Sequence, residues 1–370
     1  MRLLHTADWH LGKSLMGNSF IDDQKFILDK ILDVVDDEKI DAVIIAGDIY
    51  DRADPSSDAV ELFDEILFKL TEKKLPVLCI AGNHDSAARL NFGSRLFANK
   101  KFFITAKTAF EPKTIALEDE FGKIYFSLIP YFEPGEIRAK FFDADSERMT
   151  FDAANKFYID KARQQIPAGV RSVAVAHVFI NGGEESDSER KFVGTAGKVN
   201  AENFSGYDYV ALGHLHRQQK ISENVFYSGS PLKYSEKESS HEKGVTIVEF
   251  GENGLIDAKN FPLSPRRDLI SVNGTLEKFL SQPKCEDYAY VTLTNEKFVY
   301  DAAQKLREVF PNLMAAKNQA RPKDFVATTI NRQFRKDATI FEQFADFFAD
   351  MTKRQLTDDE RAAMKEICGG

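Results

Sequence analysis

An α/β fold built on mixed sheets is what this sequence predicts, on three observations. Short apolar runs rich in β-branched residues recur through the first two thirds of the chain. Segments with the apolar spacing of helices separate the first three of those runs. Each run is followed by Gly, Asp, Asn or His, residues suited to the turns that close strands.

Taken in order, the strand candidates are Arg2–His5, Ala42–Ala46, Val77–Ala81, Ser172–Ala176 and Tyr209–Leu212. Asp22–Asp37 and Ser56–Leu70 carry helical periodicity. Gly122–Ile129, Gly244–Phe250 and Leu255–Phe261 read as further strands with hairpin-type connections, which makes the sheets mixed rather than purely parallel. Beyond Pro262 and Pro265 the pattern changes. Asp268–Asn273, Thr275–Ser281, Tyr288–Thr294, Val299–Phe310 and Asn312–Asn318 predict strand, helix, strand, helix, strand: a second, small α/β unit. Ala338–Met351 is a phenylalanine-rich helix, and Thr357–Ile367 another, opened by the capping-box pattern of Thr357 and Glu360.

The composition bounds the function. With 43% hydrophobic and 29% charged residues, 370 residues can bury one large core and a smaller one. No apolar run approaches the roughly 20 residues of a bilayer span, and Met-Arg-Leu-Leu-His at the start has no secretory pattern, so a cytoplasmic chain is expected. Cys79, Cys285 and Cys368 lie far apart without CxxC spacing, which argues against a disulfide framework or zinc ribbon and for a reducing compartment. A net charge of −9 excludes nucleic-acid binding by bulk positive charge. A polyanion would have to be gripped locally, by a basic patch or by cations that the acids hold.

The five leading strand candidates all end in metal-competent side chains. Asp8 and His10 stand in HTADWHLG, Asp48 in AGDIYD, and Asn83, His84 and Asp85 in AGNHDS. His177 follows in VAVAHVFI, then His214 and His216 in ALGHLHR. Ligand sites in open α/β sheets form beyond the carboxyl ends of strands, so residues distant in sequence can converge there. In Asp8-x-His10 and His214-x-His216, residues two apart in an extended segment would point the same way. Carboxylates, imidazoles and one amide, without thiolate, suit manganese, magnesium, iron or zinc. Seven such donors are too many for one tetrahedral ion. They suit two ions roughly 3.5–4 Å apart that share a carboxylate and clamp both oxygens of a phosphoryl displacement. Asp48 is the candidate bridge.

Together, DxH, GDxxD, GNHD, a lone His and GHxH resemble the calcineurin-like metallophosphoesterase superfamily over about residues 1–260. HTADWHLG, AGNHDS and YSGSP at 227–231 are similar to the SbcD family of bacterial DNA-repair nuclease subunits more than to the phosphatases. The resemblance implies a four-layer α-β-β-α sandwich with a small α/β capping domain and C-terminal helices. It implies one metal on Asp8, His10, Asp48 and His216 and a second on Asp48, Asn83, His177 and His214, manganese first, with magnesium the alternative. His84 would be catalytic, orienting the scissile phosphate or protonating the leaving 3′-oxygen, and Asp85 would fix the His84 ring. Archaeal relatives carry a second histidine after the GD motif, where this chain has Asp51.

The same resemblance divides the chain into a nuclease domain at 1–264, a DNA-engaging capping domain at 265–335 and helices at 336–370 that bind the SMC-like ATPase SbcC. It implies a homodimer forming a heterotetramer with SbcC. The activity would be an ATP-dependent double-strand DNA exonuclease and an endonuclease on single strands or hairpins. No GxxxxGK[ST] pattern occurs, so ATP dependence would come from the partner.

Plainer readings stand beside these. A lone DxH or GNH is usually a surface turn, and His177 alone could be a satisfied strand-end histidine. His5 and His241 read as structural, and Asp85 equally as a turn cap. The wide apolar surface of Ser56–Leu70 (Val60, Leu62, Phe63, Ile66, Leu67, Leu70) could cover its own sheet or form a dimer seam. Lys317, Arg321, Lys323, Arg332, Arg335 and Lys336 against Asp324 form either a solvated loop or a polyanion dock. Two rival functions follow: a phosphatase or cyclic-nucleotide phosphodiesterase of the same superfamily, and a non-catalytic DNA-end adaptor with a structural metal.

Overall fold

Side-chain alternation in the strands sets the layers. Ala42, Ile44 and Ala46 enter one core while Val43 and Ile45 enter another. Likewise Val173 and Val175 face one side of their sheet, and Ala174 and Ala176 the other. Strands apolar on both faces must be covered twice, and here they are. In this computed structural model residues 1–143, 145–187, 189, 197–320, 339–352 and 354–368 are described. The chain divides into two units, Met1–Ala320 and Arg321–Gly370.

The first unit contains two six-stranded sheets. One runs in the order Gly254–Pro262, Gly244–Gly251, Arg2–Thr6, Ala42–Ala46, Val77–Ile80, Phe102–Thr105, with the last four strands parallel. The other runs Gln219–Lys220, Val225–Tyr227, Tyr209–Gly213, Arg171–His177, Gly122–Ile129, Lys113–Asp119, parallel in the middle and antiparallel at both edges. Between the sheets lie Leu3, Ile44, Leu78, Phe126, Val173 and Ala211. Helices Ile21–Asp37 and Ser57–Glu72 bury Ile27, Ile31, Phe63 and Ile66 on the outer face of the first sheet. Helix Phe151–Arg163 buries Tyr158 and Ile159 on the second. The expected α-β-β-α layering with mixed sheets is what forms.

Every strand and both helices read from the sequence in this region are present, to within one or two residues at their ends. Among the additional elements are Phe102–Thr105, Lys113–Asp119, Pro134–Phe141 and Phe151–Arg163. The two helices carry start signals that composition alone hides. Thr150 accepts from Ala153 N–H (3.1 Å), and Glu133 with Glu136 forms a capping box around Pro134, the first helical residue.

After the second proline, Leu269–Gly274, Tyr288–Leu293 and Leu313–Asn318 form a three-stranded parallel sheet. One face, with Leu269, Tyr288, Tyr290 and Met314, joins the core under helix Ile21–Asp37. The other packs on short helices Leu276–Leu280 and Ala302–Leu306 around Phe279, Val291 and Leu306. Helix Ala302–Leu306 is shorter than the segment the pattern predicts, beginning after Asp301 in a left-handed conformation (φ 55°).

The second unit holds helices Ile340–Thr352 and Asp358–Cys368. Thr357 and Glu360 form the reciprocal pair anticipated at the start of the latter, with N–H to Oε2 at 2.9 Å and N–H to Oγ1 at 3.3 Å. Of the basic run, Lys317 pairs with Glu236 (2.6 Å), and Arg321 to Lys336 lie outside the described residues. No helix among the described residues is long and apolar enough to cross a membrane.

Candidate metal centre

The carboxyl ends of five parallel-core strands deliver their turns to one place. Asp8 and His10 follow Arg2–Thr6, Asp48 follows Ala42–Ala46, Asn83 and His84 follow Val77–Ile80, His177 ends its own strand, and His214 and His216 follow Tyr209–Gly213. Asp8, His10, Asp48, His177, His214 and His216 are all at most 4% exposed, whereas Asn83 and His84 are half-buried at the rim.

The pointing mechanism differs from the one expected. Asp8 and His10 are not in an extended segment: both have left-handed backbones (φ 54° and 46°), as does Asp48 (φ 50°), and His214 lies at φ 106°. Strand alternation therefore does not aim these side chains; strained turns do, a cost concentrated at the cluster. The turns are locked together by Asp8 N–H to Gly47 O and His10 N–H to Asp48 O, both 3.0 Å. Gly82 is required beside them, since a Cβ there would collide with the Asp48 carboxylate.

Inside, His10 Nε2 and His216 Nε2 stand 3.0 Å apart, and His10 Nε2 is 3.7 Å from Asp48 Oδ2. Asp48 Oδ2 lies 3.3 Å from His177 Nε2. Asn83 Oδ1 sits between His177 Nε2 (3.2 Å) and His214 Nδ1 (2.8 Å). Asp8, His10 and His216 can offer ligand atoms within 4.8 Å of one another, and so can Asp8, Asp48 and His177, and His10, Asp48 and His84. The donor set fits divalent cations: nitrogen and oxygen atoms only, buried, and separated by about 3 Å, the distance between neighbouring ligands of an octahedron with bonds of about 2.1 Å.

A family model for calcineurin-like phosphoesterases matches residues 1–218, and a second, described as Type 5 capsule protein repressor C-terminal domain, matches residues 265–352. The SbcD component of the nuclease SbcCD from Staphylococcus epidermidis is 33% identical over 99% of this chain and 98% of its own. The chain belongs to the calcineurin-like phosphoesterases, in the SbcD nuclease family. Among solved structures, the calcineurin-like phosphoesterase YfkN from Bacillus subtilis aligns over 71% of this chain and 90% of that one at 15% identity and a TM-score of 0.37. Yfce, a phosphoesterase from E. coli, aligns over 70% and 99% at 12% and 0.28.

Electrostatics in this phosphoesterase follow from burying acids among imidazoles. Burial pushes Asp8 up to about 7, opposed by His177 and His216 and reinforced by the Asp48 charge. Burial would raise Asp48 too, but His177 beside it, by charge and hydrogen bond, holds it well below the usual carboxylate range. His177, which burial alone would lower, is lifted by Asp48 to about 9. Burial takes His10 well down and His214 to about 3. The His177 Nδ1–H donates to Ala46 O (2.8 Å), which leaves Nε2 facing the cluster, the orientation of an anchored ligand.

His84 is anchored by a different group from the one anticipated. Its Nδ1–H donates to the carbonyl of Asp51 (2.8 Å), and its backbone N–H to Asp48 Oδ1 (2.8 Å). Asp85 does not fix the ring. Its carboxylate accepts from the N–H groups of Gly82 (2.9 Å), Tyr50 (2.9 Å) and Ile49 (3.2 Å), stitching the AGNHDS turn to the AGDIYD turn. A short acid beside three inward-facing amides is consumed by them, which favours the cap reading. Asp51 takes the Lys13 ammonium (2.7 Å) and lies 3.7 Å from His10 Nδ1.

Sequence reasoning missed the clamp behind this loop. Gln24 donates to the carbonyls of His10 (2.7 Å) and Trp9 (3.1 Å) and accepts from Gly12 N–H (2.9 Å), while Tyr234 O–H donates to Trp9 O (2.5 Å). Gln24 is 1% exposed on the buried face of its helix, beside Asp23, which pairs with Arg267; polar residues in that stripe were the available signal. His5 is structural, bonded to Tyr209 Oη (2.9 Å) and Leu212 O (3.1 Å).

Proposed function

We propose that this chain hydrolyses phosphodiester bonds of DNA with two divalent cations, manganese by preference, as the nuclease component of an SbcC-type ATPase complex in DNA repair. The observation that carries the reading is the convergence of buried Asp8, His10, Asp48, His177, His214 and His216, with half-buried Asn83, on one cluster. Asp8, His10, Asp48 and His216 hold one cation, and Asp48, Asn83, His177 and His214 the other, with Asp48 shared. Bound there, the cations supply positive charge for the scissile phosphate and a nucleophile at neutral pH. Asn83 and His84, at the half-buried rim, meet the phosphate first. With Nδ1 committed to the Asp51 carbonyl, His84 offers its other nitrogen to orient the scissile phosphate or, as the imidazolium, to give that nitrogen's proton to the leaving 3′-oxygen.

Supporting the partner assignments, the name of the staphylococcal relative makes it one component of a nuclease called SbcCD. Helices Ile340–Thr352 and Asp358–Cys368 are the SbcC-binding element, and residues 265–335 the DNA-engaging cap. Helix Ser57–Glu72 leaves Val60 (45%) and Phe68 (64%) exposed beyond the face it buries, which supports a homodimer seam there. The test is degradation of linear duplex DNA with Mn2+, with and without the ATPase, by wild type and His84→Ala. Loss of cutting in the variant is expected. Hydrolysis of a phosphomonoester or cyclic nucleotide but not DNA would move the chain to the phosphatases, and full cutting by Asp8→Ala would remove the cation mechanism.

A further inference from the structure

Immediately behind His216 lies a buried ion pair. Glu238 is 0% and Lys243 6% exposed, and Lys243 Nζ approaches Glu238 Oε2 to 2.6 Å. Taking two charges out of water costs several kcal/mol per ion, and apolar replacements often do as well for stability. The pair is therefore best understood by what else it grips. Lys243 Nζ donates to the His216 carbonyl (2.7 Å) and to Ser230 Oγ (2.8 Å). Ser230 N–H reaches the same carbonyl (3.1 Å). That approach depends on Gly229, at φ +72°, where a Cβ would sit 2.7 Å from Gln218 N and 2.8 Å from His216 O. The His216 N–H donates to Glu189 Oε1 (2.8 Å). Glu238 Oε1 accepts from Ser235 Oγ (3.0 Å) and faces His216 Nδ1 at 3.4 Å.

A carboxylate can only accept, so the nitrogen facing it carries the proton. In the neutral ring, the form a cation can bind, Nε2 is then the lone-pair nitrogen, and Nε2 is the atom 3.0 Å from His10 Nε2 inside the cluster. We infer that Glu238, secured by Lys243, is a positioning residue that fixes His216 in its Nδ1–H form and presents Nε2 to a cation. The YSGSP turn is the backbone half of the same cradle. The inference rests on reading His216 as a cation ligand. Carboxylates behind ligating histidines orient the ring and raise its basicity, and losing one typically weakens metal affinity about 10–100-fold.

The experiment is Mn2+ titration of the full chain, followed by the electron paramagnetic resonance signal of the free ion, with unfolding in chelator and ring 15N shifts of His216 as companion readouts. Wild type is compared with His216→Ala, Glu238→Asp and the charge-neutral pair Glu238→Gln with Lys243→Met. Expected are cooperative unfolding, an Mn2+ Kd raised about 10–100-fold in the Glu238 variants, and a proton moved to Nε2 where Gln replaces Glu. If the double variant does not fold, Glu238→Asp, which keeps the charge but withdraws the carboxylate, decides. Affinity within about twofold of wild type in folded Glu238 variants, alongside a loss in His216→Ala, overturns the role of Glu238 alone. A wild-type protein that takes up no Mn2+, or His216→Ala that takes it up unchanged, overturns the ligand reading and this inference with it.

Discussion

The two parallel-strand regions of the first unit follow one architectural rule and spend it differently. In the small sheet, strand ends are finished by neutral caps: Asn295 Oδ1 accepts from Leu276 N–H (2.9 Å) and Asn318 Oδ1 from Val299 N–H (3.0 Å). Among the described residues, all of 269–318 included, no charged side chain of that region is buried. At the ends of the six-stranded sheets the same positions carry buried acids and imidazoles on left-handed backbones. Where burial serves stability alone, the chain satisfies each backbone group and stops. Where acids and imidazoles are buried together on strained turns, their ligand atoms converge, and the cluster geometry suits divalent cations.

The largest effect expected from this contrast is on chemistry. Asp48→Asn removes the only carboxylate shared by both proposed cations, and DNA cleavage with Mn2+ should fall at least about 10³-fold, several kcal/mol of charge stabilisation. Single-turnover cleavage measures it. The mirror-image change is Phe279→Ala in the small sheet, 3% exposed in its core. It should cost about 3–5 kcal/mol in urea unfolding. Mn2+ binding by the folded fraction should stay at wild-type strength. Equal damage to cation binding in both variants would erase the contrast.

Proton linkage separates the regions next. The folded pKa of His177, about 9, lies above its ordinary 6.5, so the folded state holds a proton that the unfolded chain releases first. That contribution is complete below pH 6.5 and is lost as pH rises through 9, at up to about 1.4 kcal/mol per pH unit. Thermal unfolding of the chelated protein should therefore shift downward across that window. A cation on His177 must displace the same proton, so Mn2+ affinity should rise with pH over the window, up to about tenfold per unit. A chelated protein whose midpoint climbs from pH 6.5 to 9 would contradict this charge state.

Layering and the cluster's membership were legible in the sequence because both depend on residue type at fixed spacing: apolar alternation for the strands, and imidazole or carboxylate after each strand for the cluster. What stayed hidden depends on backbone conformation and on partners far along the chain. Asp8 and His10 converge by left-handed turns, which no two-residue period announces. Asp85 reads as a catalytic neighbour of His84 until three amides are seen to occupy it. Gln24, Tyr234, Glu238 and Lys243 contact the cluster loops from up to 225 positions away, and only the fold brings them there. The strand Lys113–Asp119 escapes a pattern reading because an edge strand is half-exposed and carries no continuous apolar run.

The smallest expected effect comes from a histidine that shares the cluster's strand without its task. His5 lies three residues before Asp8, fully buried, and burial takes its imidazole down to about 3, so it is neutral throughout the working range. Both its nitrogens are engaged, by Tyr209 Oη and by Leu212 O of the facing sheet. His5→Phe should leave those two groups without their partner, costing about 1–3 kcal/mol in urea unfolding. Mn2+ affinity should not change. His5 lies inside its strand and serves packing, whereas the proposed ligands His177, His214 and His216 stand at or just beyond the ends of theirs. Loss of Mn2+ uptake in folded His5→Phe would show that position along the strand does not decide between them.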